Sequence, residues 1–215
     1  QLVREEQPGK KKKNLFESTR QGYLRWFKLE GEIARPTYHQ SVKMLRYYMP
    51  ELLPTYEKLC KLAGGGDRMA RMLSLYNPAP YLTGCSQVVL DRDEPVLIRN
   101  YDYRPDLWEA RVWASAWNGK RTLAMRDCLW GVLDGINEDG LVVSLTFGGR
   151  KIVGDGFGIP LVLRYILETC ATTEEAAEVL HRIPTHMAYS VSVVDGLGHF
   201  VTAQLSPGHI TEFHE

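Results

Sequence analysis

Two hydrophobic periodicities divide this chain near residue 84. Before that point apolar side chains recur at three- and four-residue spacing, which is typical of amphipathic helices. The predicted helices span 15–31, 37–48, 51 or 55 to 62, and 67–75. After that point apolar and polar residues alternate, which predicts strands. The predicted strands span 87–90, 96–99, 111–117, 122–126, 129–133, 141–147, 189–194 and 200–205, with two helices at 159–170 and 173–181.

The order of these elements indicates an α+β unit preceded by a helical segment. Strands, then two helices, then strands again are typical of helices layered on an antiparallel sheet. Turn pairs at 118–119 and 139–140 support hairpins, and residues 91–94 should connect the first two strands. The proline-rich residues 77–80 form a stiff connector that delivers the chain to Gly84 in extended form.

Composition is that of an ordinary globular protein, but the charges are unevenly divided. Hydrophobic residues make up 44% of the 215 positions, which is enough to build a core, and a formal net charge of zero gives no general case for nucleic-acid binding. Residues 1–84 carry 15 Lys and Arg against 8 Asp and Glu, whereas residues 85–215 carry 11 against 18. The division suits a propeptide-like segment at 14–84, or it reflects chance and the run of four lysines at 10–13. We expect residues 1–13 to be a flexible basic tail.

The cysteines indicate neither a disulfide framework nor a zinc site. Cys60, Cys85, Cys128 and Cys170 are widely spaced, and no CxxC pair occurs. We interpret all but Cys85 as core residues. The sequence shows no secretory signal and no apolar stretch of membrane-spanning length, so we expect a cytoplasmic protein. Because the chain begins with Gln1, a removed leader stays open.

Cys85 differs from the other cysteines because it follows a glycine at the start of a strand-like run. A cysteine that becomes a chain terminus has an α-amine titrating near pH ~8, which can act as the base for its own thiol. Before cleavage the thiol could attack the carbonyl of Gly84, which has no Cβ to block the approach. Arg99 could hold the thiolate by its charge, and Asp102 could accept a hydrogen bond from the amine or thiol. The alternatives are a structural thiol and a simple Arg99–Asp102 pair.

Four segments in order resemble the N-terminal nucleophile hydrolases, in which the nucleophile is the first residue after a self-cleavage. They are Gly84-Cys85, Arg99-Asn100-Tyr101-Asp102, DGINEDGL at 134–141 and LTFGGR at 145–150. The similarity is greatest to the acyl-coenzyme A:6-aminopenicillanic acid acyltransferase-like group, the autoproteolytic C45 peptidases. The choloylglycine hydrolases are more distant.

The resemblance implies a four-layer αββα sandwich, of which residues 85–215 would be the first part. The family draws a second oxyanion Asn and a later Arg from further strands, which we expect beyond this sequence. Cleavage would fall between Gly84 and Cys85, and catalysis would use Cys85, Arg99 and Asp102.

The same resemblance implies weaker positions around an acyl pocket. Asn100 and Tyr103 would shape its wall. Thr146 occupies the place of an oxyanion-binding Asn in the related hydrolases, so backbone N–H groups or Thr146 itself would line the pocket. We interpret Asn137 as a turn residue. A papain-like partnership with His186 is the weaker alternative, because the sequence around Cys85 lacks the papain signature.

Two functions from different classes remain. The first is a self-processing amidohydrolase or acyltransferase acting on a linear amide through a Cys85 thioester. It would need no metal or organic cofactor, although acyl-coenzyme A could be a donor. Its partners would be small molecules rather than nucleic acid or membrane, and a homo-oligomer stays open. Trp108, Trp113 and Trp117 hint at an apolar acyl group, or belong to the core. The second is a truncated or unprocessed homologue that binds a ligand or partner without catalysis.

Overall fold

An eight-stranded sheet organises the computed structural model, which describes residues 1–81, 84–90, 95–102 and 109–214. The described strands are β1 (Leu2–Arg4), β2 (Gly84–Leu90), β3 (Val96–Asp102), β4 (Arg111–Ser115), β5 (Thr122–Asp127), β6 (Gly131–Asn137), β7 (Val142–Phe147), β8 (Tyr189–Val194), β9 (Phe200–Leu205) and β10 (Glu212–His214). The large sheet has the order β1-β4-β5-β6-β7-β8-β9-β10, whereas β2 and β3 form a separate antiparallel hairpin. In the large sheet β1 is parallel to β4, and the other neighbours are antiparallel.

The helices fall into an N-terminal group and a pair between β7 and β8. They are α1 (Lys10–Phe27), α2 (Tyr38–Tyr48), α3 (Leu53–Leu62), α4 (Asp67–Leu73), α5 (Ile159–Thr169) and α6 (Thr173–Arg182), with short 3-10 turns at Glu32–Ala34 and Pro50–Leu52. Thr37 starts α2 in a capping box with Gln40, which satisfies two backbone N–H groups that the helix itself leaves unbonded. Thr172 caps α6 by accepting from the Glu175 backbone.

One side of the large sheet is apolar and is covered by α5 and α6. Strand alternation turns these buried side chains of β7, β8 and β9 toward the two helices: Val143, Leu145, Val191, Val193, Val201 and Ala203. Helix α5 is buried along almost its whole length. A helix with apolar residues on every face is one that is covered on both sides. Tyr165 of α5 donates to Glu51 of the N-terminal group, at 2.9 Å, so that group covers the outer side.

The other side of the large sheet is polar, and the β2–β3 hairpin packs on it over β7. The alternation that turns Val143 toward the helices turns Ser144 and Thr146 toward the hairpin. Ser144 is paired in register with Asp134 of β6 on one side and with Ser192 of β8 on the other. All these side chains therefore lie on the polar side of the sheet. The α+β class is therefore confirmed. Helices, large sheet and hairpin form three successive layers of the expected αββα arrangement.

The first thirteen residues differ from the flexible tail that we predicted. Leu2–Arg4 adds a strand to the large sheet, and α1 begins at Lys10 rather than at residue 15. Lys12 is buried, and its ammonium donates to the carbonyl of Leu129. The sequence suggested a solvated lysine run, but a helix turns one of four successive lysines inward, and a backbone carbonyl satisfies its charge. Its burial lowers the pKa of Lys12 well below the ordinary range.

The strand predicted at 129–133 also differs, because it begins later and extends further, as Gly131–Asn137. Cys128 and Leu129 have φ angles of 51° and 70°, in the left-handed region that non-glycine residues rarely adopt. These two residues make the turn from β5 into β6, so the strand cannot include them. The predicted connection at 91–94 lies outside the described residues.

Candidate active site

Alternation along the hairpin brings four of its side chains to the polar side of the large sheet. Cys85 and Gln87 of β2, with Arg99 and Tyr101 of β3, are partly buried, whereas their neighbours along each strand are exposed. Cys85 lies opposite Tyr101, and Gln87 lies opposite Arg99. Directly opposed residues on one face of a strand pair are close neighbours. The hairpin therefore presents one compact polar group to β6, β7 and β8.

Arg99 is held by contacts on several sides. Its Nη1 donates to Asp134 Oδ2 at 2.6 Å, and its Nε donates to the Leu145 carbonyl at 3.0 Å. The guanidinium carbon also lies 4.7 Å from the centre of the Tyr101 ring, a cation–π distance. The remaining nitrogen, Nη2, is 3.3 Å from Cys85 Sγ. A buried guanidinium fixed in this way places a positive charge beside the sulfur, within reach of negative charge that develops there during a reaction.

Asp134 is a site residue that the sequence analysis missed. It pairs with Arg99 across the gap between hairpin and sheet, and only 6% of the arginine side chain is exposed. Burial raises the pKa of the Asp134 carboxyl, and the charge and hydrogen bond of Arg99 oppose that rise. The available signal was an acidic residue directly after the predicted strand 129–133, three positions before the turn residue Asn137. A buried charge needs a partner, but no local pattern indicates that the partner comes from another strand pair.

A row of small polar groups continues across the same side. Gln87 donates through Nε2 to the Ser192 hydroxyl at 2.9 Å, and Ser192 bonds to Thr202 at 2.8 Å. The Ser144 hydroxyl is fully buried, with no hydrogen-bond partner among the described residues. Thr146 lies two residues further along β7 on this side and is also buried. These hydroxyls could offer hydrogen bonds to a polar group placed near the sulfur.

Asp102 and Asn100 face the opposite direction from Cys85. Both are exposed on the outer face of β3, where the Asn100 amide donates to the Asp102 carboxylate at 2.6 Å. Asp102 pairs through its backbone with Gly84, so it lies beside the expected cleavage point but not on the side of the thiol. The structure thus brings Arg99 to Cys85 and does not bring Asp102 there. The predicted pocket residue Tyr103 lies outside the described part of the chain.

The other candidates have structural roles. Asn137 closes the turn after β6 by accepting from the backbones of Asp139 and Leu141. His186 is fully buried, and burial lowers its pKa to about 3, so its imidazole is neutral at ordinary pH. Its ring packs against those of Tyr81 and Tyr189, with centroids 5.8 Å and 6.5 Å away.

The remaining cysteines and tryptophans also belong mainly to the packing. Burial raises the pKa of Cys60 to about 11 and raises that of Cys170. Trp113 and Trp117 are buried beneath the guanidinium of Arg126. Trp108 falls among the residues that the structure does not describe. Within the described ranges, no group of three His, Cys, Asp or Glu side chains could hold a metal ion, and no helix is long and apolar enough to cross a membrane.

Comparison with known proteins gives a family and a partial structural likeness. A search of curated proteins finds no significant match. Among solved structures the chain is similar to penicillin V acylase from Agrobacterium tumefaciens, with 18% identity and a TM-score of 0.38. The match covers 62% of this chain and 43% of the acylase chain, so this sequence spans less than half the length of that structure.

The family model described as acyl-coenzyme A:6-aminopenicillanic acid acyl-transferase matches residues 89–214. The matched region contains Arg99 and its partner Asp134, and it begins just after Cys85. Because the model matches more than half of the sequence, the chain belongs to the acyl-coenzyme A:6-aminopenicillanic acid acyl-transferase family.

Proposed function

We propose that this protein is a self-processing cysteine N-terminal nucleophile enzyme. It cleaves its own chain between Gly84 and Cys85 and then transfers acyl groups from linear amides through a Cys85 thioester. The observation that carries the proposal is the 3.3 Å contact between Arg99 Nη2 and Cys85 Sγ. Family membership supports the reaction class, since the family is named for acyl transfer.

Self-cleavage would begin with attack of Cys85 Sγ on the carbonyl carbon of Gly84. The C–N bond of the peptide breaks, a thioester forms, and the thiol proton passes to the departing amine. Water then hydrolyses the thioester, which leaves a Gly84 carboxylate and an N-terminal Cys85 with a free thiol. Arg99 favours the first step because it stabilises the developing thiolate before the sulfur attacks.

The acyl-transfer cycle would use the same sulfur. The thiolate attacks the carbonyl of an amide substrate, and the amine leaves with a proton from the new α-ammonium group of Cys85. Water or a second amine then attacks the thioester and releases the acyl group. We assign the binding of the acyl oxygen to the buried hydroxyls of Ser144 and Thr146, which lie on the side of β7 that faces the hairpin. The proposed cycle uses no metal or organic cofactor, and acyl-coenzyme A could replace the amide as donor.

Intact-mass spectrometry of the purified full-length protein tests this proposal. We expect two pieces that divide before Cys85 and a single uncut chain for Cys85→Ala. Cys60→Ala is the matched control, because it removes another partly buried thiol, on α3, and should leave cleavage unchanged. Cleavage of Cys85→Ala at the wild-type rate would contradict the proposal.

One observation favours the alternative of an unprocessed binding homologue. Gly84 and Cys85 are the first two residues of β2 and pair regularly with Asp102 and Tyr101, rather than forming a strained turn. A β ladder holds its peptide bonds planar and hydrogen-bonded, which does not assist cleavage. A thiol-reactive acyl probe separates the two functions, because the enzyme should be acylated at Cys85 and the binding protein should not.

A further inference from the structure

Tyr101 connects Cys85 to a second polar cluster. Its ring lies against the Arg99 guanidinium, and its strand position is opposite Cys85. Its hydroxyl points the other way and donates to Asp127 Oδ2 over 3.4 Å, a long hydrogen bond. Asp127 is the last residue of β5 and is only 5% exposed. A buried carboxylate is therefore one side chain away from the contacts that hold Arg99.

The backbone after Asp127 fixes its carboxylate firmly. Oδ1 accepts the Cys128 backbone N–H at 2.7 Å, and the left-handed conformations of Cys128 and Leu129 follow at once. Such conformations persist where the surroundings over-determine them. The Leu129 carbonyl accepts from both Lys12 and Arg126, which holds the turn closed. The carboxylate thus has little freedom to move away from Tyr101.

The hydrogen bonds around Asp127 need more protons than the tyrosines supply. Tyr23 of α1 has one hydroxyl proton, yet its oxygen is 2.5 Å from Glu109 Oε1 and 3.1 Å from Asp127 Oδ1. A phenol donates one hydrogen bond and can accept others. Both contacts are satisfied together only if one of the two carboxyl groups carries a proton. The geometry of the cluster therefore leaves a place for one proton on the Asp127 carboxyl.

Several titratable groups face Asp127 from the elements around it: Tyr23 from α1, Tyr81 before the hairpin, Tyr101 from β3, Glu109 before β4, and Arg126 and Cys128 beside it in the chain. Burial first, and then the negative charge of Glu109, raise the pKa of Asp127 to about 7. Hydrogen bonds from Cys128, Tyr23 and Tyr101 oppose that rise. The carboxyl can therefore gain or lose its proton in the ordinary working range of pH.

We propose that Asp127 is a positioning residue for Cys85, because its carboxylate holds the Tyr101 ring beneath Arg99 and so keeps the guanidinium on the sulfur. When Asp127 is ionised, Tyr101 donates to it and the ring is fixed. When Asp127 is protonated, it no longer offers a charged acceptor to the Tyr101 hydroxyl, and Arg99 loses one of its supports. This inference rests on the proposed function, because it concerns the same nucleophile. What it claims is a property of the Cys85 thiol, namely its reactivity.

Alkylation of Cys85 by iodoacetamide, followed by mass mapping of its peptide between pH 5.5 and 8.5, tests the inference. Thiolate formation alone gives a smooth rise in rate with pH. In the wild-type protein we expect an additional rise of roughly three- to tenfold, centred near pH 7. This is the change in rate that corresponds to the cation–π contact between Arg99 and Tyr101. Asp127→Asn should lack that additional step and react roughly three- to tenfold more slowly at pH 8.

Tyr101→Phe gives a second route to the same result and covers the case in which Asp127→Asn folds poorly. It should also lose the step, and the double variant should react no more slowly than either single variant, because both remove one contact. Tyr165→Phe and Asp195→Asn are the controls. The first removes a tyrosine hydroxyl bound to a carboxylate, and the second changes a buried carboxylate that binds Thr173 rather than Tyr101. Both should keep the wild-type profile.

Three results would each overturn the inference. They are a wild-type profile in Asp127→Asn, additive effects in the double variant, and the absence of the additional step in the wild type. Failure of the proposed function is distinguishable. A chain that shows the Asp127-dependent step but neither cleaves itself nor forms a thioester supports this inference and defeats the enzyme. A chain that cleaves before Cys85 while Asp127→Asn labels normally does the reverse.

Discussion

The two sides of the eight-stranded sheet are built from alternate residues of the same strands, yet they bury different chemistry. Toward α5 and α6 the strands present Val143, Leu145 and Val191, which pack without a polar atom in the side chain. Toward the hairpin they present Ser144 and Asp134, which bind or face Arg99 and its neighbours. The first side gains its stability from apolar area removed from water. The second side buries less apolar area and instead fixes the charge of Arg99 beside Cys85.

The two sides should respond differently to substitution, because changes on the apolar side should alter stability and changes on the polar side should alter reactivity. Apolar contacts are non-directional, so losing one weakens the whole fold. A guanidinium held by named partners has direction, so losing one partner should alter the sulfur more than the fold. A change on one side of the sheet can therefore be compared with a matched change elsewhere.

The largest expected effect concerns His186, next to Tyr189, which belongs to the apolar side of β8. The pKa of His186 is lowered to about 3, whereas in an unfolded chain it is near ~6.5. As the pH falls from ~6.5 toward 3, the unfolded chain binds a proton that the folded chain refuses, so stability is lost. Between pH 7.5 and 4.5 this loss should be roughly 2–3 kcal/mol.

Chemical denaturation of His186→Phe at the two pH values measures that contribution. The variant should lose roughly 2–3 kcal/mol less than the wild type over this interval. The exposed His209→Phe is the control and should behave as the wild type. The raised pKa of Asp127 contributes stability at low pH that is lost as the pH increases. Because Asp127 is present in all three proteins, this contribution cancels in the comparison. An equal loss in all three would show that His186 is not buried as a neutral ring.

An intermediate effect is expected on the polar side from Arg99→Met. The charge-assisted contact with Cys85 Sγ is worth about 1.5 kcal/mol, so alkylation of Cys85 at pH 7 should slow about tenfold. Arg150→Met removes an exposed arginine further along the chain and should leave the rate unchanged. If Arg99→Met reacts as fast as the wild type while its circular dichroism is native, the guanidinium does not activate the sulfur.

Much of the fold was predictable because local signals decide it. Helix α2, the paired strands β8 and β9, and the helices between β7 and β8 follow from periodicity, and the structure confirms them. Strand β1 was not predictable, because three residues pair only with a distant strand. The burial of Lys12 depends in the same way on the Leu129 carbonyl, which no local pattern reveals.

The site was predictable only in part, for a reason of strand parity. Cys85 and Arg99 share the inner face of the hairpin because the register places Arg99 opposite Gln87, two residues from Cys85. Had β3 ended at Arg99, as predicted, Asp102 could have turned back toward the sulfur. The strand instead continues to Asp102. Because Arg99 and Asp102 are three residues apart, their side chains lie on opposite faces of the hairpin. Asp134 and Asp127 come from other strands, so the sequence gives their chemistry but not their place.

The smallest expected effects come from one substitution made on two surfaces. Val143→Thr puts a hydroxyl into the apolar side, where the residue is 0% exposed, and should cost about 1–2 kcal/mol of unfolding free energy. Val88→Thr makes the same change on the outer face of the hairpin, where the residue is 47% exposed, and should cost less than about 0.5 kcal/mol. Thermal and denaturant unfolding measure both, and neither variant should change the alkylation rate of Cys85. Equal costs at the two positions would mean that the outer face of the hairpin is also covered in the folded protein, and the contrast between a stabilising side and a reactive side would then need a further layer.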